Sequence, residues 1–448
     1  MKREVPEETG YDLLVAGGGP AGYSAAVSAA RLGAKVLLAE SCGCLGGMAT
    51  GGLVTRLDTT SDGRRMVVGG VMREVIEQLY RRGMIASYYP FSRFTCEQGR
   101  YTPFDPEGMK LVLDALCREA GVEVRFFTRV IDVDRKSPSE LGGVVLSNVE
   151  GYRCVRARTY IDATGDAVLA HLSGAACWEA GTPECPGIMP PNLCAMFSGI
   201  PWDTVEMSDK DPALHREMLQ KALADGFFSQ PDPMIPGIAR NCGESGGMNA
   251  GHLFGTDALS CRSLSEGMRK GRLQVQEYAA YYRKYLPGFE NIRLMATGNL
   301  LGVRESRRVA GEETLTYEDY QSRRKFNNQI GIYCKEIDIH PYSLLDREAF
   351  EKENLGRGAE DFLQPGESYG LPYGILIPKG FQNLWVAGRC ASSDRKVNSA
   401  IRVQPAAAVL GQAAGSAAYL AAKRGYAAAE LPVDELRELL RAQNAVVD

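Results

Sequence analysis

An α/β fold built around a central parallel sheet is predicted by three observations. Residues 11–40 read as strand, glycine turn, slim helix and second strand; the same style of sequence resumes near Asn383; and the long stretch between differs in character. In the opening unit Leu13, Leu14, Val15 and Ala16 form a buried strand, and Gly17-Gly18-Gly19-Pro20-Ala21-Gly22 places G-x-G-x-x-G at its end. Gly17 permits the tight turn, Gly19 lets a pyrophosphate approach the backbone, and Gly22 lets the following helix pack close to the sheet. The positive end of the helix dipole then faces the phosphates. Pro20 is tolerated in the first helical turn, the Ala-rich run after it keeps the helix thin, and residues 36–39 return as the second strand.

Glu40 ends that strand. A carboxylate there accepts hydrogen bonds from both ribose hydroxyls and leaves no room for a 2′-phosphate, so the expected ligand is FAD or NAD and not NADP.

At 448 residues the chain exceeds one ordinary core, and two interleaved domains are expected. A net charge of −4 and a pI near 5.8 leave no basic excess for a nucleic-acid backbone, so no nucleic-acid partner is expected. The charged start of the chain lacks the apolar run of a secretion signal, which predicts a cytoplasmic protein. Its twelve cysteines then read as thiols. Cys42 and Cys44 form C-x-C and no C-x-x-C occurs, so neither a zinc site nor an iron–sulfur run is encoded and no metal is expected. Residues 403–422 carry no charge, but they are rich in Ala and Gly and contain Gln404, Pro405 and Gln412. This composition predicts a tightly buried helix and no membrane span.

The middle elements follow in order. Asp105-Pro106-Glu107 opens an amphipathic helix that runs to about Ala120 and stops at Gly121. Strand pieces follow at 122–127, 130–133, 143–146 and 154–161: the first extends the parallel sheet, the middle pieces form a small antiparallel flap, and Tyr160–Ala163 is a buried strand ending in Thr164-Gly165-Asp166. From about 175 to 370, Pro, Gly and aromatic residues are frequent, helices are expected at 211–225 and 264–285, and no new β-α-β unit occurs. Leu384-Trp385-Val386-Ala387-Gly388-Arg389 resumes the first style, and residues 405–423 form a long helix.

A protein binding only NAD completes its sheet in consecutive units. Here a far downstream strand supplies the second turn, which suits a long two-headed cofactor and selects FAD. At this point the chain resembles the FAD-dependent oxidoreductases of the glutathione-reductase type, in the branch that includes relatives of the heterodisulfide reductase flavin subunit. The matching pieces are Gly17–Gly22 with Glu40, Leu45-Gly46-Gly47-Met48-Ala49-Thr50, Ile161–Asp166, Gly302-Val303-Arg304-Glu305-Ser306-Arg307-Arg308, Ile337–Pro341, and Asn383–Arg389 with Arg402. The resemblance implies a Rossmann-like FAD-binding domain (1–174 and 370–448) with a central parallel sheet and β-meander flap. A substrate domain of α+β type (175–369) is interleaved with it.

The paired glycines Gly46 and Gly47, with Met48 and Ala49, let the chain pass beside the ribityl and flavin ring. By similarity, Val130 meets the adenine, Glu40 and Ser41 the ribose, and Ala163, Gly165 and Asp166 the cofactor at the carboxyl edge of the sheet. Asp166 equally suits an N-cap. Gly388 and Arg389 supply the second phosphate-side turn. Pro405 begins a helix, so amides near Arg402, Val403 and Gln404 point outward and favour negative charge near flavin N1 and O2, by about 1–2 kcal/mol. A solvated helix-start arginine is the competing reading of Arg402.

Substrate chemistry is read from fewer signals. Arg304, Arg307 and Arg308 lie in one segment; on a helix Arg304 and Arg308 share a face, and such a cluster can clamp a carboxylate or serve an interdomain ion network. His252, in a glycine-rich loop with Asp257 nearby in sequence, and His340, before Pro341, are candidate acids or bases, or else satisfied structural histidines. Tyr373 is a further candidate proton donor. A pyridine-nucleotide disulfide reductase needs a cysteine pair after the glycine motif and a second nucleotide fingerprint, and neither is present. Electrons therefore enter or leave through a small-molecule substrate, a diffusing carrier or a redox partner protein. The expected activity is hydride transfer between flavin N5 and a small polar organic molecule; the alternative is a flavin-bearing subunit of a larger redox complex.

Overall fold

The computed structural model describes residues 4–85, 90–92, 94, 101–203, 205, 212–345 and 361–448. Its centre is a seven-stranded sheet. The strand Glu7–Ala16 lies between Val36–Ala39 and Gly151–Asp162, parallel to both, and Glu123–Arg125 continues the sheet beyond Val36–Ala39. The long strand Gly151–Asp162 carries two neighbours on its other side. Val155 and the residues before it pair antiparallel with Glu140–Asn148, whereas Tyr160, Ile161 and Asp162 pair in parallel with Leu384, Trp385 and Val386. The chain's late return therefore completes the parallel core, and Arg129–Ser137 with Glu140–Asn148 forms the antiparallel flap.

Sequence-level punctuation explains the helix ends. Asp105 caps Pro106–Ala120 by accepting from the amides of Glu107 and Gly108, and Gly121 ends it at φ +79°. The charge-free segment becomes the helix Gln404–Arg424, buried along most of its length. It packs on the dinucleotide helix Pro20–Arg31 through small residues. A Cβ on Gly411 would lie 2.0 Å from the Ala21 carbonyl oxygen, and one on Gly415 2.2 Å from that of Ala25. The absence of Cβ atoms lets the two backbones meet, which is why this run holds Ala and Gly where an isolated core helix would hold Leu. Among the described residues no helix is long and apolar enough to cross a membrane.

The middle of the chain builds a second sheet, in the order Ala239–Arg240, Gly246–Met248, Ala195–Ser198, Arg293–Thr297. The helix Cys261–Tyr285 covers it and contributes Val275, Tyr278, Tyr281 and Tyr282 to a separate apolar cluster. A further helix, Pro212–Ala224, packs on it; Asp211, expected to begin this helix, lies outside the described residues. Residues after this region rejoin the first core: Leu315, Tyr320, Ile330, Ile332 and Tyr333 pack with Val67, Val71 and Leu410.

Candidate functional site

The carboxyl ends of the parallel strands open onto a groove of ≈ 480 Å³, within the span usual for small-molecule sites. Several segments of the chain line it. Gly17, Gly19, Pro20, Ala21, Glu40, Ser41, Gly47 and Met48 come from the opening unit. Val130, Ala163, Gly165 and Asp166 come from the flap and the central strand, and Gly388, Arg389 and Arg402 from the C-terminal part.

At one end both oxygens of Glu40 are held by the protein. Oε2 accepts from the Gly18 amide at 2.6 Å; Oε1 accepts from the Cys42 amide at 2.7 Å and from the Ser41 hydroxyl at 3.1 Å. The carboxylate thereby shapes the turn it serves. Gly19 has extended backbone at φ −67°, ψ −174°, and a Cβ built on it meets nothing within 4 Å, so its face is open to the groove. Gly22 faces inward, where a Cβ would lie 1.7 Å from the Gly17 carbonyl oxygen. Gly46, with φ +99°, donates its amide to Gly18 at 2.8 Å, and Ala49 is buried behind it. Val403 is the N-cap of Gln404–Arg424. These four residues shape the groove without forming its wall.

Asp166 is not a helix cap. Thr164 Oγ1 accepts from the Val168 amide and Asp162 Oδ2 from the Ala170 amide, while Asp166 pairs with Arg389 and accepts from Ser306 Oγ at 2.7 Å. Arg389 also donates to the carbonyls of Gly165 at 3.0 Å and Val303 at 2.8 Å, tying the strand end to the segment that follows Leu301.

Arg402 is buried, not solvated. Its Nη2 donates to the Asp338 carbonyl at 2.9 Å and lies 3.5 Å from the Asp338 carboxylate. Burial lowers its pKa, partly offset by Asp338. Arg304 follows the wall residue Val303 and donates to the Pro190 carbonyl. Burial, with Arg402 nearby, brings its pKa down to about 10. The segment around Arg304 is irregular and leads into the strand Arg307–Val309, not a helix. Its arginines consequently diverge: Arg307 pairs with Glu179 at 2.6 Å, and Arg308 lies 3.5 Å from Glu305 and donates to the Ser393 carbonyl at 3.2 Å.

The two candidate histidines touch. His252 Nε2 is 2.8 Å from His340 Nδ1, and His252 Nδ1 is 2.8 Å from Asp232 Oδ2. Asp232, twenty residues upstream in the chain, is the orienting carboxylate; Asp257 instead accepts from the Leu259 amide at 2.8 Å. The Pro231-Asp232-Pro233 segment gives no sequence signal for that role. Beyond His340 lie Asp338 at 3.5 Å and then Lys335, which pairs with Asp58 at 2.7 Å. Tyr373 is elsewhere: its hydroxyl donates to the Ala428 carbonyl at 3.0 Å and accepts from Trp385 Nε1 at 2.9 Å within the core. The groove wall also includes Thr128, Leu264, Met268, Asn299, Leu300 and Gln404; these side chains carry no motif.

These residues fit FAD. Two helices, Pro20–Arg31 and Gln404–Arg424, begin at the groove with N-caps Gly19 and Val403 that provide no side-chain cap, leaving first-turn amides for a ligand. The acid at Glu40 and the open approach at Gly19 suit adenosine and pyrophosphate.

The fold is similar to that of a geranylgeranyl bacteriochlorophyll reductase-like protein of Thermoplasma acidophilum, with a TM-score of 0.50 and 13% identity over 98% of this chain and 85% of that one. Also similar are the flavin-dependent brominase Bmp2, with a TM-score of 0.48 and 13% identity over 96% and 83% of the two chains, and the p-nitrophenol 4-monooxygenase PnpA of Pseudomonas putida, with 0.42 and 11% over 96% and 84%. At these identities the likeness is one of fold. Residues 12–440 match the family described as FAD dependent oxidoreductase, and the chain belongs to that family of flavin enzymes.

Proposed function

We propose that this FAD-dependent oxidoreductase moves a hydride to or from a small polar organic molecule held beside Arg402. The carrying observation is the ionisable cluster beyond that arginine: Arg304, Asp338 and the buried His340 and His252, backed by the buried Asp232. Bound FAD supplies a two-electron acceptor or donor at N5. Arg304 positions a substrate oxygen with the guanidinium protons that Pro190 does not take. Asp232 and His252 hold the His340 ring, and the histidine pair handles the proton that accompanies the hydride. Arg402, with the uncapped start of Gln404–Arg424 behind it, favours negative charge at the flavin end of the groove.

The reading assigns cofactor binding to 1–174 and 370–448 and substrate binding to 175–369. Electrons leave through a diffusing carrier or a redox partner protein, and the absence of a second nucleotide fingerprint supports this. All described cysteines are free thiols, which supports a cytoplasmic setting.

The test is flavin reduction in the isolated holoprotein. Anaerobic mixing with a panel of small alcohols, sugars and acids should bleach the oxidised flavin bands with at least one compound, and Arg304→Ala should abolish that bleaching. Unchanged bleaching in Arg304→Ala removes the positioning role. Activity only in a stoichiometric complex with another redox protein would replace this reading with an electron-transfer subunit.

A further inference from the structure

One wall of the FAD groove comes from the middle of the chain. Ala258, Leu264, Met268, Leu300, Leu301 and Val303 line it with apolar side chains, and among the described residues of 175–369 that line the groove Asn299 alone is polar. A mostly apolar site fixes its ligand's orientation through the few polar groups it presents.

Asn299 is held by its backbone while its side chain stays uncommitted. Its amide donates to the Gly51 carbonyl at 2.8 Å and the Leu300 amide to the same oxygen at 3.3 Å, while the Gly298 and Gly302 amides donate to the carbonyls of Cys194 at 2.9 Å and Asn192 at 2.7 Å. A Cβ on Gly298 would lie 2.8 Å from the Gly52 carbonyl oxygen, so this segment sits directly on the backbone beneath it. The Asn299 side chain is exposed, and among the described residues its carboxamide has no hydrogen-bond partner. Two other polar side chains of the groove are already committed: Gln404 Nε2 donates to the Val54 carbonyl at 2.8 Å, and Arg402 to the Asp338 carbonyl at 2.9 Å.

Hydrogen bonds also fix where Asn299 stands along the groove. The Val54 amide donates to the Met48 carbonyl at 2.9 Å, and the Val54 carbonyl accepts from Gln404, so the turn from Met48 to Val54 is joined to the end marked by Arg402 and Gln404. Gly51, the partner of Asn299, belongs to that turn. Glu40 marks the other end, which suits the adenosine. Apolar side chains there suit a flat aromatic ring and not a charged pyrophosphate.

We infer that Asn299 is a cofactor contact supplied by the substrate domain, its carboxamide N–H groups donating to a carbonyl oxygen of the bound FAD isoalloxazine and favouring the reduced flavin. The inference needs FAD in the groove and is independent of what the flavin acts on. The isoalloxazine edge carries more acceptors than donors, and its carbonyl oxygens gain negative charge on reduction. A neutral donor in an apolar wall therefore holds the reduced form more tightly than the oxidised one.

Potentiometric titration of the FAD-loaded full chain against a reference dye tests this, together with oxidised-FAD titrations of the FAD-free chain. Asn299→Leu keeps the size of the side chain and removes the donors. It should weaken reduced FAD about tenfold more than oxidised FAD, which lowers the two-electron potential by about 30 mV. Asn299→Asp sets a carboxylate against the same oxygen and should lower the potential further; Asn299→Gln keeps the donors and should lower it less than Asn299→Leu. An exposed side chain without partners leaves the FAD-free fold intact, so all three should melt with the parent chain, and if Asn299→Leu melts early the Asn299→Asp potential decides alone. An unchanged or raised potential overturns the inference. That holds also where affinity falls equally for both redox states, the result expected of a contact to the ribityl hydroxyls.

Discussion

Glu40 Oε2 accepts the Gly18 amide at 2.6 Å, so the acid at the end of the second strand and the glycine turn at the end of the first are one hydrogen-bonded unit. Its other oxygen takes the Cys42 amide at 2.7 Å. The side chain thus organises the backbone on both sides of the nucleotide groove. Glu40→Ala leaves two amides without acceptors, at a cost of about 1–3 kcal/mol each where they are buried. FAD affinity should fall by about 10- to 100-fold in titrations followed by flavin fluorescence, corresponding to about 1.4–2.7 kcal/mol. An unchanged Kd would show that Glu40 serves the ribose end of the groove in no essential way.

The glycines of the turn separate by what surrounds them. Gly19→Ala adds a methyl group where nothing stands within 4 Å, whereas Gly22→Ala drives one to 1.7 Å from the Gly17 carbonyl oxygen. The first should leave the melting temperature of the FAD-free protein within about 2 °C while weakening FAD binding at least tenfold. The second should destabilise the FAD-free protein itself by about 2 kcal/mol or more, as forced overpacking does. Thermal melts of both variants without and with FAD distinguish the outcomes, and equal melts without FAD would remove the distinction.

Much of this was legible in the chain because backbone constraints leave residue-type signatures. Gly17 through Gly22, the charge-free run from Val403, and the Asp105 and Gly121 boundaries each encode a local requirement that only certain residues meet. The cluster near His340 was legible only in part. His252 and His340 are 88 positions apart, and their contact arises from tertiary folding, as does the pairing of His252 with Asp232 instead of the nearer Asp257. A helical reading of the arginine segment failed for the same reason: Arg307–Val309 pairs with Cys177–Glu179 as a strand, a long-range partner that periodicity does not reveal. Tyr373 is a comparable case, since a tyrosine whose hydroxyl is satisfied by Ala428 and Trp385 has the same sequence appearance as a proton donor.

The divergence of the arginines gives a direct contrast. Arg307 pairs at 2.6 Å with a Glu179 side chain that is 35% exposed, and partly exposed pairs of this kind contribute about 0–1 kcal/mol. Arg307→Ala should therefore preserve flavin reduction within about twofold, a change of about 0.4 kcal/mol. Arg304→Ala removes a buried guanidinium beside Asp338 and should abolish it. Loss of flavin reduction in Arg307→Ala with normal FAD content would move the substrate contact to the wrong arginine.

His340 also sets an acid limit on stability. Burial, with Arg304 next, lowers its pKa in the folded chain from 6.5 to about 3. Between those values the unfolded chain binds a proton that the native protein does not, so this contribution is fully present above pH 6.5 and is lost as pH falls toward 3. Its steepest effect is about 1.4 kcal/mol per pH unit. Asp338, whose own burial is outweighed by His340, Lys335 and Arg402, has a lowered pKa, and its linked loss of stability is confined below 3.8. The interval from pH 6.5 to 4 therefore separates the histidine from Asp338. Denaturant melts across it should show a shallower fall in unfolding free energy for His340→Asn than for the parent chain, even though the variant starts from lower stability. Parallel slopes would mean that folding does not lower the His340 pKa.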